Sequence, residues 1–297
     1  MIYKKNKLIF DNFDIRYLGK KFKTPIYCYS LKTIKNNILN LKKNFKKIKP
    51  LFCYAVKANA NLAILKELKN NDLGADVVSQ GELMKALKAG INPKKIVFSG
   101  VGKTAEEIDY AIKKNILLIN AESHNEVLVI EKIAKKRKKL VNIGLRLNPD
   151  TDAKTLKQIS TGKSENKFGV DKNTFLKIIN SLNGSNYINI KCLSVHIGSQ
   201  IMNNKPYEEM LNVVDKLLKT INYKFEYIDL GGGMGIKYDN ERKNLDYKKY
   251  ITLSEIIYFS KKETLRLMLR NPVRLCLSEM QPLAAYIQQT ILQLVWG

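Results

Sequence analysis

Short apolar runs of strand type alternate along this chain with segments whose apolar positions recur at helical spacing. Leu51, Phe52, Cys53, Tyr54, Ala55 and Val56 form one such run, which ends abruptly at Lys57, and residues 61–71 then follow a helical period. The pattern predicts strands near 51–56, 76–79, 95–99, 117–121, 141–147, 188–197, 226–230 and 273–278. Between them it predicts helices over 61–71, 82–89, 105–114, 125–137, 173–182, 207–221 and a long basic segment over 247–269. Ahead of the alternation, residues 24–30 read as a β-type run after Pro25, and 31–45 as an amphipathic basic helix. Asn59, Gly90, Thr104 and Gly184 supply caps or turns at the joints. Eight β units with intervening helices give an α/β chain, a (β/α)8 TIM-type barrel with an N-terminal extension.

A length of 297 residues suffices for one such barrel, and 45% hydrophobic residues is ordinary for a globular chain. No apolar run reaches the length of a bilayer span, and the start Met1, Ile2, Tyr3, Lys4, Lys5 lacks the apolar segment of an export signal, so a cytoplasmic protein is expected. Cys28, Cys53, Cys192 and Cys276 are scattered without paired spacing, which argues against both a disulfide framework and a metal site. The formal charge of +25 suggests polyanions at first sight. Its lysines recur along nearly every helical segment instead of marking one patch, so solvated faces are expected and specific nucleic-acid binding is not.

In a barrel of this kind chemistry belongs at the carboxyl ends of the strands. Lys57 ends the first strand, Arg146 lies late in the fifth, His196 ends the sixth, and Glu279 ends the eighth. After the seventh come Gly231, Gly232, Gly233 and Gly235, whose backbone N–H groups could approach an anion with a hydroxyl from Ser199 beside them. Each feature has a plain structural alternative: a lysine that merely closes a strand, and a triple glycine that is only a tight turn. The glycines match neither the dinucleotide fingerprint nor a Walker motif, since Ile236 stands where the last glycine would fall. Together a strand-end amine, a flat imidazole, a glycine cradle and a carboxylate suit pyridoxal 5'-phosphate. Lys57 would bond to its aldehyde carbon, His196 would lie against the ring, the glycines would hold the phosphate, and Glu279 would pair with the ring nitrogen.

The segments YAVKAN (54–59), GADVVSQGEL (74–83), ISTGKSENKFG (159–169), HIGSQ (196–200) and DLGGG (229–233) occur in an order and spacing that resemble the diaminopimelate decarboxylases. That family lies within the fold-type III, alanine-racemase-like group of pyridoxal-phosphate decarboxylases, and the resemblance runs from about Thr24 to Ile236. It implies decarboxylation of meso-2,6-diaminopimelate to L-lysine. It also implies Lys57 and His196 as catalytic, Ser199 and Gly231 to Gly233 around the phosphate, Glu279 on the ring nitrogen, and Asp76 and Arg146 near the cofactor. The family is homodimeric. Its pattern is broken after Glu279, where Met280, Gln281 and Pro282 replace Pro-Gly-Arg, and Leu156 and Gln158 replace a histidine and an aromatic residue. The expected division is therefore an N-terminal segment 1–30, a cofactor-binding barrel 31–279 and a divergent tail 280–297, without the family's C-terminal β-domain. Two alternatives accompany the enzymatic reading: a truncated homologue that at most binds the cofactor, and a decarboxylase of another basic amino acid.

Overall fold

Asparagine-containing pairs shape the amino end. The structure, a computed structural model, describes residues 2–153, 161–162, 168–235, 245–260 and 266–270. Lys5 and Asn6 have φ of 45° and 60°, and Asp11 and Asn12 have 51° and 73°, the left-handed pairs that two-residue hairpin turns require. They join β1 (Ile2–Lys4), β2 (Lys7–Phe10) and β3 (Phe13–Asp14) into an antiparallel sheet, and α1 (Ile15–Phe22) follows with Asp14 as its N-cap. The run 24–30, expected as a strand, is irregular instead. With no neighbouring strand, its alternation buries little, and Tyr27 remains 79% exposed.

From α2 (Leu31–Asn44) onward the alternation is regular. The first barrel strands are β4 (Leu51–Ala55), β5 (Gly74–Val77), β6 (Ile96–Phe98) and β7 (Leu118–Ala121), separated by α3 (Leu62–Asn70), α4 (Gln80–Lys88) and α5 (Ala105–Lys113). Then come α6 (His124–Arg137), β8 (Val141–Leu147), α7 (Lys172–Leu182), β9 (Ile188–Val195), α8 (Lys205–Thr220), β10 (Tyr227–Asp229), α9 (Tyr247–Ser260) and β11 (Arg266–Arg270). All eight of these strands are parallel, and β11 closes the ring between β10 and β4.

The end of the chain corrects the expectation. The helix drawn over 247–269 stops at Ser260, and the eighth strand is Arg266–Arg270, not 273–278. Residues 266–270 read as the tail of a basic helix because arginine stands at both ends, yet the alternation Leu267, Met268, Leu269 buries completely between two parallel neighbours. The segment 273–278, Glu279 and the tail 280–297 lie outside the described residues. At the joints, Thr104 forms a capping box with Glu107, and Gly90 and Gly184 take φ of 85° and 81° just after helices. Asn59 caps the carboxyl end of the 3-10 turn Val56–Ala58 and makes the turn into α3, its side chain accepting from the N–H of Asn61, the α3 N-cap, at 2.9 Å.

Side chains at period two fill the barrel in layers. Cys53, Val97, Leu118, Cys192, Tyr227 and Met268 make an apolar plug, and a larger apolar shell lies between strands and helices. One step further toward the carboxyl ends the lining turns polar: Asp76, Asn120, Arg146, Ser194, Asp229 and Arg270 are all buried. Among the described residues no helix is long and apolar enough to cross a membrane.

Candidate active site at the carboxyl end of the barrel

The polar layer is a closed network. Arg270, the last residue of β11, is ion-paired with Asp229, its Nε 2.5 Å from Oδ2, and donates through Nη1 to Ser99 Oγ at 2.7 Å and through Nη2 to Ser194 Oγ at 3.0 Å. Its guanidinium also lies 3.8 Å from Asp76, whose Oδ1 accepts from Ser99 Oγ at 2.6 Å. Ser194 Oγ donates to Asp229 at 3.0 Å, and Asn120 bridges to Ser99 at 3.2 Å. Burial alone would lower the pKa of Arg270, but Asp229 and Asp76 outweigh it and raise the value. Burial holds the Asp76 carboxyl above the ordinary range, opposed first by Arg270 and then by the Ser99 hydrogen bond. The end of the eighth strand thus carries a guanidinium where a carboxylate was expected.

A second buried pair stands beside the first. Arg146 Nη1 donates to Glu122 Oε1 and Oε2 at 3.0 and 2.9 Å, and its Nη2 reaches the His196 carbonyl at 3.0 Å. Thr161 Oγ1 donates to the same carbonyl at 2.8 Å, so the start of the loop after β9 is held from two sides. The ring of Phe168 lies 5.0 Å from the Arg146 guanidinium.

Above these layers is the glycine loop. Gly231 has φ of 68°, and its N–H donates to Asp229 Oδ1 at 2.8 Å. A Cβ there would stand 2.5 Å from the Val195 carbonyl oxygen and 2.7 Å from His196 Nδ1. The N–H of Gly232 donates to His196 Nδ1 at 3.3 Å, which leaves the proton of a neutral imidazole on Nε2 and fixes the ring's orientation. Two tyrosines hold the loop from behind: Tyr207 of α8 donates to the Gly232 carbonyl at 3.1 Å, and Tyr247 of α9 to the Gly235 carbonyl at 3.0 Å. Since C=O and N–H point oppositely across a trans peptide, the Gly233 N–H is turned away from Tyr207. It is buried and takes no protein acceptor among the described residues. A buried donor left open in this way fits an anion. Ser199 lies against the same turn, its Cα 3.4 Å from where a Gly233 Cβ would be.

Lys57 falls in a single 3-10 turn (Val56–Ala58) directly after β4, exposed at the rim. Its charge acts on Asp76 and Glu82, though it is the least of the five influences on Asp76. Of the expected site residues, His196, Ser199, Gly231, Gly232 and Gly233 meet around one turn. Arg146 supports that turn through the His196 carbonyl, Asp76 joins through Arg270 and Asp229, and Lys57 reaches Asp76 only through its charge. Glu279 is not among the described residues. Sequence reasoning passed over Asp229, Arg270, Glu122, Ser99, Asn120, Ser194 and both tyrosines. For the strand residues a signal was available, namely polar side chains at the inward phase of otherwise apolar runs. The residues present therefore fit pyridoxal phosphate in donor set and cradle.

Replacing Gly231 by alanine is expected to cost roughly 1–3 kcal/mol, because the residue is both left-handed and pressed against the Val195 carbonyl and His196. Urea denaturation checks this; a variant as stable as its parent would show that the loop yields freely.

Comparison with known proteins adds three findings. The profile described as "Pyridoxal-dependent decarboxylase, pyridoxal binding domain" matches residues 31–269. The diaminopimelate decarboxylase of Helicobacter pylori strain J99 is 45% identical over 244 residues, 80% of this chain and 60% of that protein, and that of Aquifex aeolicus is 41% identical over 244 residues, 81% and 58%. A crystal structure of the Helicobacter pylori enzyme complexed with L-lysine superposes with a TM-score of 0.83 at 39% identity, covering 88% of this chain and 66% of that one. The chain spans about 60% of the length of the curated relatives it matches.

Proposed function

The chain belongs to the pyridoxal-dependent decarboxylases, and from that membership we propose that it serves the decarboxylation of meso-2,6-diaminopimelate to L-lysine in the cytoplasm. The observation that carries the reading is the open, buried Gly233 N–H, placed beside Ser199 and His196 on the rim that also bears Lys57. Pyridoxal phosphate, when bound, supplies an electron sink for the carbanion left as carbon dioxide departs. The Lys57 amine is the attachment point for the cofactor's aldehyde. Gly231 to Gly233 and Ser199 hold the phosphate by backbone and hydroxyl donors.

The imidazole of His196 keeps one orientation because Gly232 occupies its Nδ1, so it presents a fixed face. Arg146, neutralised by Glu122, holds the backbone of His196 in place and takes no part as an acid. Asp76 lies on the strand beside the one that Lys57 follows and feels its charge weakly. Glu279, as partner of the ring nitrogen, the homodimer, and the division into 1–30, 31–279 and 280–297 belong to the same proposal.

Incubation with pyridoxal phosphate and meso-2,6-diaminopimelate should release carbon dioxide and L-lysine in equal amounts. Turnover of ornithine or arginine in its place would move the substrate assignment within the family. Folded protein that carries the cofactor and turns over none of them would leave a binding homologue.

A further inference from the structure

The opposite end of the barrel holds a second concave site. A cavity of about 610 Å3 opens where the strands begin, a size typical of small-molecule pockets. Its wall includes Lys42 at the end of α2, Lys49 before β4, Lys94 and Lys95 before β6, and Arg266 at the start of β11. The single acid in the wall is Asp72, and Lys95 is paired with it.

Among the described residues, no ion pair joins the other four cations to a carboxylate. Lys42 donates to the backbone carbonyl of Asn71, and Lys94 donates to the Asn115 amide oxygen at 2.7 Å. Among the described residues no ion pair engages Lys49 or Arg266, and Arg266 hydrogen-bonds the Tyr227 side chain. Lys94 is held below the usual lysine range by partial burial and by repulsion from Lys191 and Lys139, so the local field already disfavours its charge. Behind the cations the wall is aromatic: Phe45, Phe52, Tyr227 and Tyr258.

We propose that this cavity binds a multiply phosphorylated small molecule with an aromatic body, of the nucleoside triphosphate class. Four cations without a carboxylate partner among the described residues supply the charge that a triphosphate needs, and the aromatic side chains in the wall, Tyr258 the most exposed of them, offer the base an apolar surface. The site shares no residue with the carboxyl rim, so it is separate from the one that takes the cofactor.

Adenosine 5'-triphosphate without magnesium, titrated calorimetrically into protein whose cofactor has been fixed by borohydride, tests the proposal. Saturable one-to-one binding is expected, weakened about tenfold or more by the double change Lys49→Gln and Arg266→Gln. The control Lys132→Gln with Lys136→Gln on α6 should leave it unchanged. Both tested side chains are exposed, so the variants should fold. Equal weakening by the control pair would mean diffuse attraction to a basic surface and would overturn the site. Binding abolished by the fixed cofactor would place the nucleotide at the rim and overturn it as well. Inorganic triphosphate should bind more weakly than the nucleotide; equal affinity would remove the aromatic body from the proposal.

Discussion

Lys57→Ala is expected to abolish the cofactor mass that borohydride fixes to the protein, and to leave the fold intact. Lys57 is exposed on a three-residue turn, so its removal opens no cavity in the core. Among the described residues Lys103, in the loop before α5, does not replace it, because its side chain is buried and paired with Glu126 at 2.7 Å. Without the covalent attachment turnover should fall by at least the ~10²–10⁴ range typical of losing a positioned catalytic side chain. Peptide mapping of the reduced protein is the measurement. A modified peptide lacking residue 57, or undiminished labelling of the variant, would remove Lys57 from its role while leaving the barrel and its glycine loop as described.

The second large effect is on stability. Arg270→Met is expected to destabilise the protein by roughly 3–5 kcal/mol, since it leaves Asp229 and Asp76 buried without their cation. The loss should depend on pH with a definite sign. Asp76 already has a raised pKa in the folded protein, chiefly through burial, so folding is favoured by its protonation below the unfolded value, and that contribution fades as pH rises through the folded one. Removing Arg270 takes away the main influence opposing that shift and moves the window upward. The stability gap between parent and variant should therefore narrow on going from pH 7 to pH 5. Urea midpoints at the two pH values decide it; a gap that widens on acidification would mean that both carboxylates find other partners. Arg270→Lys should recover only part of the loss, because an ammonium cannot serve Asp229, Ser99 and Ser194 at once.

How far these results could be read beforehand differs between the two ends of the chain. From Leu51 to Asp229 apolar runs and helical periods agree with local capping chemistry, and seven barrel strands fall within a few residues of expectation. The eighth was displaced because its inner residues are only three, Leu267, Met268 and Leu269, between charged neighbours that matched a helix pattern equally well. At the site, the meeting of His196, Ser199 and the glycines around one turn was legible, because each is unusual where it stands. The ionic network was not legible, because Asp229, Arg270 and Ser194 look unremarkable until barrel closure brings strands far apart in sequence into contact. The tyrosines of α8 and α9 were hidden for a similar reason, since each reads as one more apolar position on a buried helix face.

Those two phenols have a thermodynamic meaning. By gripping the carbonyls of Gly232 and Gly235, Tyr207 and Tyr247 set the peptide planes of the glycine loop before any ligand arrives. Tyr207 is itself locked edge-on against Tyr250, with ring centroids 4.7 Å apart. A glycine-rich segment would ordinarily lose much conformational freedom on closing around an anion. Here that ordering is part of folding and not of binding, so the affinity proposed for the loop toward phosphate would rest on core packing some distance behind its donors.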